Sequence, residues 1–174
     1  MAIKQLNASW SKKEDRIVLS FNTTGDELFR FWITRFIAKH IIEGAQSMVQ
    51  KGLETHHSPR TSQVIQEFQK DAIKKQIDFE EEFEGGKKSP LGNDPILVIG
   101  LNMVLKKKSI NIGFKLVTNQ TASFDLAINQ LQPLVVLIEK LAQKAEWAID
   151  NADNKNSLIN IDADNQLALS KKLH

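Results

Sequence analysis

Apolar and polar residues alternate at the start of the chain: Leu6, Ala8 and Trp10 share one face of an extended segment, and Ile17, Leu19 and Phe21 share one face of the next. Alternation with period two puts successive side chains on opposite faces of a strand. The polar break Ser11-Lys-Lys-Glu-Asp15 between these runs therefore predicts a β-hairpin. The following Asn22-Thr-Thr-Gly-Asp26 offers helix N-cap residues and a carboxylate for the positive end of the helix dipole. A long helix is expected over residues 28 to about 49. Its apolar positions, from Leu28 and Phe29 through Ile41 to Val49, cover more than half the circumference, more than a sheet-facing helix buries. That surplus needs a cover. Either a second copy of the chain supplies it, or the next helix does, opened by Ser58-Pro59 and striped by Val64, Ile65, Phe68, Ala72, Ile73 and Ile77. This second helix should end near Phe79, because the acidic run at 80–84 opposes the dipole at a helix C-terminus and Gly85-Gly86 breaks it.

The second half repeats the outline. Residues 85–95, rich in Gly, Pro, Ser and Asn, form a loop, and Ile96-Leu-Val-Ile is the start of a mostly buried strand. After a Lys106-Lys107-Lys108 turn, Ile110, Ile112, Phe114 and Leu116 alternate. Thr118-Asn-Gln-Thr-Ala-Ser123 then reads as a capping segment for a helix striped by Ile128, Leu131, Val135, Ile138, Ala142, Ala145 and Ile149. Pro133 either kinks this helix or opens a second one. Ile159, Ile161, Leu167 and Leu169 flank Ala163-Asp-Asn165 as a short C-terminal hairpin over 157–170. The expected architecture is α+β: one domain over residues 1–174, in which two β-hairpin–helix units, a pseudo-repeat of 1–84 and 95–151, share a mostly antiparallel sheet with helices on one face.

Composition narrows the functions. The charges, 23 basic against 21 acidic, nearly cancel to +2, so no strong long-range field steers a partner. The absence of cysteine excludes a disulfide framework, a thiolate nucleophile and a Cys-based metal site. The N-terminus has no apolar signal region and no apolar stretch reaches the ~18 residues that cross a bilayer, which points to the cytoplasm and away from a membrane.

Candidate chemistry is thin. The polar loops Thr23, Thr24, Asp26 and Asn119, Thr121 could hold an anion at a helix N-terminus, although capping is the ordinary role of such residues and neither loop has a phosphate-loop pattern. Both hairpin tips are basic: Lys12, Lys13 and Arg16 in one, Lys106, Lys107 and Lys108 in the other. They suit phosphate contacts, but lysine at a hairpin tip also keeps strands from pairing edge to edge. His40 and Glu43 share a helix face and His56-His57 lies in a loop, without a third converging ligand, so neither a metal nor a cofactor is expected. Asn160, Asp162 and Asp164 resemble the start of a calcium loop, which Asn165 and Lys171 then break. No stretch carries a motif specific to a known family. The leading expectation is a non-enzymatic intracellular binding or scaffold protein that forms a homodimer, with a further protein partner as an option. The rivals are a nucleic-acid-associated protein using the basic tips and an enzyme with a dispersed acid–base site.

Overall fold

Six strands form one sheet in the order in which they occur: β1 (Ile3–Ser11), β2 (Arg16–Thr23), β3 (Leu28–Ile33), β4 (Ile96–Leu105), β5 (Ser109–Leu116) and β6 (Thr121–Ala127). Helix α1 (Arg35–Glu54) follows β3, and α2 (Ile128–Lys144) follows β6. The structure, a computed structural model, describes residues 2–54, 58, 60, 61, 64, 65, 68, 71–73, 83–106 and 109–149. Within that range each half runs three strands and then a helix, and every neighbouring pair is antiparallel except β3 with β4. That parallel seam is short, with Phe31 opposite Ile96 and Trp32 opposite Leu97. The α+β class holds. The C-terminal hairpin expected at 157–170 lies outside the described residues.

The sheet curls around its own side chains. In a flat sheet β2 and β6 would stand four strand spacings apart, roughly 19 Å; the rings of Phe21 on β2 and Phe124 on β6 have centroids 5.2 Å apart. Phe29, Phe31 and Phe114 join them in edge-to-face and tilted contacts, so five aromatic rings form the centre of the core. The curl brings the edge strands together at one bridge, Ala2 to Asp125. Both helices bury their apolar stripe against this inner face: Ile37, Ile41 and Ala45 from α1, and Leu131, Val135 and Ile138 from α2. The two helices pack on each other, and each also reaches the strands of the other half, α1 chiefly β4, and α2 β1 as well as β5 and β6 of its own half.

Three expectations are corrected. Residues 28–33 are the strand β3 and not the start of α1: Phe29, Phe31 and Ile33 point into the core while Arg30 is exposed, and aromatic and β-branched residues at alternating positions suit a pleated surface better than a helix. The true cap of α1 is Thr34, whose hydroxyl accepts from the Ile37 N–H at 3.3 Å. Likewise 121–127 is β6, with Ala122, Phe124 and Leu126 buried, and α2 begins only at Ile128. There Gln130 reaches back to accept from the Ala127 N–H at 3.2 Å, half of a capping box, because alanine has no oxygen to complete it. Pro133 lies inside α2, which runs on to Lys144. The described residues between 60 and 73 are helical, as expected, but Val64 and Phe68 are 62% and 76% exposed and form no buried stripe.

Candidate functional site

The polar loops expected at helix N-termini are strand-to-strand turns. Asp26 and Asn119 adopt left-handed backbone conformations, φ 61° and 64°, which Asp and Asn tolerate better than most residues. Thr23 is buried at the end of β2, its hydroxyl donating to Glu27 and accepting from the Gly25 N–H; Thr24 donates its N–H to Ala2. Thr121 opens β6 opposite Lys115. No helix dipole acts at any of these residues, so the anion site expected there loses its basis. The first turn borders a polar recess of about 100 Å³ lined by Lys4, Asn22, Thr23, Thr24, Asp26 and Glu84, with Gly85. Its groups are largely engaged with each other: Asn22 exchanges hydrogen bonds with Gln5 across a β-bulge and donates to the Glu84 carbonyl, Lys4 pairs with Glu84 at 3.1 Å, and Lys87 pairs with Asp26 at 3.6 Å. The corner ties the returning segment 83–88 to the sheet.

The basic tips share one end of the sheet, because β1 and β4 run in the same direction. Lys12 and Lys13 are exposed in the first turn, but Lys106 donates to Asp125 at 2.6 Å. That bond first, and then the one from Asn111, hold the Asp125 carboxyl below the usual carboxylate range. Lys107 and Lys108 lie outside the described residues. His40 stands 3.7 Å from Glu43 and its ring is 4.2 Å from that of Phe36; among the described residues no three His, Asp or Glu side chains gather as a metal site.

The outer face of the sheet is different. Alternation sends Phe29, Phe31 and Ile33 inward and Arg30 and Trp32 outward, and cross-strand register then extends the outward set. Val18 and Leu97 flank Trp32 on either side, and the Val117 N–H donates to the Leu97 carbonyl. Two residues along from Leu97 is Ile99, at a bulge in β4. Trp32 and Leu97 are half-buried, whereas Ile99 and Val117 are 46% and 54% exposed. The result is an apolar stripe across β2, β3 and β4 that ends on Val117, just past β5. Around it stand Arg16, Arg30 and Lys115, none paired with a carboxylate among the described residues; Arg30 donates to the neutral Asn93 carbonyl. Asp125 is the single carboxylate on this face of the six strands, and Lys106 already neutralises it.

Comparison with protein-family models, curated proteins and solved structures found no match, so geometry alone carries the functional argument. Of the residues singled out in the sequence, only Arg16 belongs to the outer surface patch. Trp32, Arg30, Ile99 and Lys115 were missed. Their signal is the alternation of Leu28-Phe-Arg-Phe-Trp-Ile33, which separates an inward set from an outward one once the segment is read as a strand.

Proposed function

We propose that this chain is a binding protein whose working surface is the outer face of its sheet. The observation that supports this is the outward stripe in which half-buried Trp32 and Leu97 adjoin exposed Ile99 and Val117, since contiguous apolar surface ringed by polar groups marks sites where a partner sits. An enzymatic reading draws less support. The polar groups that converge in the recess by Thr23 are largely engaged in holding turns and strands. The homodimer expected from the surplus apolar circumference of the first helix loses that motive, because Leu28, Phe29, Phe31, Trp32 and Ile33 belong to β3.

The test does not require knowing the partner. Carbene footprinting of the protein in a lysate of its own cells, compared with the purified protein, should show Trp32, Ile99 and Val117 protected in the lysate and Phe36, 58% exposed on α1, labelled equally in both. Equal labelling of the stripe in the two conditions overturns the reading.

A further inference from the structure

Resting on that reading of the outer face, we infer that its occupant is single-stranded nucleic acid. Charge decides between the candidates. A second copy laid on the stripe would bring its own Arg16, Arg30 and Lys115 against the same three cations, and the strands of either copy offer no carboxylate except Asp125, already paired with Lys106. A polyanion relieves this repulsion instead of doubling it. The apolar part suits exposed bases: half-buried Trp32 stands between Val18 and Leu97, with Arg30 two residues along its own strand, roughly 7 Å away. An indole flanked by a guanidinium stacks a base and holds the adjoining phosphate. From Val18 on β2 to Val117 beside β5 the stripe spans three strand spacings, about 15 Å, the scale on which a sheet platform stacks two or three bases.

Two other surfaces are disfavoured. Duplex DNA keeps its bases stacked within the helix, where they cannot lie on the Trp32 ring. An anionic bilayer would bury the stripe together with its surroundings, and beside Val104 these include Asn7, Ser9, Ser20, Asn102 and Ser123, amides and hydroxyls that hydrogen-bond bases or phosphates and gain nothing from lipid.

The experiment is fluorescence anisotropy of labelled oligo-dT and oligo-rU with the whole protein, alongside the matching duplex and phosphatidylserine vesicles. Single strands should bind, with log K falling against log salt at a slope of about −2, three cations at ~0.7 each. Trp32→Ala should weaken binding on the order of ten-fold and Trp32→Phe much less. Lys115→Glu, an exposed change that leaves the core untouched, should weaken it with an unchanged melting temperature, whereas Lys12→Ala combined with Lys13→Ala should not. Binding that responds to the Lys12 and Lys13 changes but not to Trp32 or Lys115 rejects the outer face altogether. No single-strand binding overturns the nucleic-acid inference. In that case, a protein that sediments as a dimer dissociated by Ile99→Asp, or that binds vesicles through Trp32, keeps the outer face as the working surface with a different occupant.

Discussion

Among the described glycines, Gly86 has the least room for a side chain. A Cβ placed on it would lie 2.7 Å from the Glu27 carbonyl carbon and 2.8 Å from the Leu28 nitrogen, and both are backbone atoms that cannot rotate away. Beside it Lys88 and the β2–β3 turn exchange hydrogen bonds, Leu28 N–H to the Lys88 carbonyl at 2.7 Å and Lys88 N–H to the Asp26 carbonyl at 3.1 Å. Gly86→Ala should therefore push the segment off the sheet and cost about 1–3 kcal/mol in chemical denaturation. Asp125 gives a pH prediction. Its carboxyl titrates below the normal range because Lys106 and then Asn111 donate to it, so its contribution to stability is in place above the unfolded-state value, near 4, and fades as pH falls through the lower folded-state value. Asp125→Asn should lower the melting temperature in the neutral region and flatten its acid limb, the two proteins converging at low pH; an identical acid limb would show that the Lys106 bond does not persist in solution. The sequence did reveal the charges at this scale. It could not show that Lys106 is occupied, because its partner lies nineteen positions away on a strand read as a capping segment.

Element boundaries were legible where alternation was long and illegible where it was short. The hairpin strands β1, β2 and β5 announce themselves over eight or nine residues, but β3 and β6 have only six and seven. Each also follows a turn whose left-handed Asp26 or Asn119 is of the same residue type as a helix N-cap. Local chemistry was read correctly and assigned to the wrong element. The C-terminus of α2 shows a related compromise. The Trp147 N–H bonds the Ala142 carbonyl and the Glu146 N–H bonds the Gln143 carbonyl, a Schellman motif in which Glu146, φ 55°, holds the position that glycine usually fills. Glu146→Gly should stabilise the protein by about 1 kcal/mol, read as roughly 2–4 °C in melting temperature. A lower melting temperature would mean that the motif does not form. The motif aims Trp147, itself buried, back across the first hairpin tip, where its indole N–H donates to Asp15 at 2.9 Å. Trp147→Phe keeps the ring and loses that bond, at about 1–2 kcal/mol by the same denaturation assay.

At the scale of the whole molecule, the α+β class and the shared sheet followed from hairpins paired with apolar helices, while the curl and the packing of each helix on strands of both halves did not. No local pattern encodes which strands a helix will cover. Packing across the halves has an energetic consequence, since α2 anchors Ile138, fully buried, in the core it shares with the first half. Ile138→Asp should abolish cooperative unfolding of the entire chain and not just of the second half, because it leaves an uncompensated charge in the one core. The β3–β4 seam carries the same logic into time. Within each half, contacts join strands a few residues apart, so the hairpins can close on the microsecond scale; the seam joins Trp32 to Leu97, and its loop-closure entropy must be met before the two register pairs return anything. Folding should thus be limited by the meeting of two preformed three-stranded pieces: Ile96→Ala at the seam slows refolding, and Ile112→Ala within the second hairpin mainly changes how fast the native state is lost.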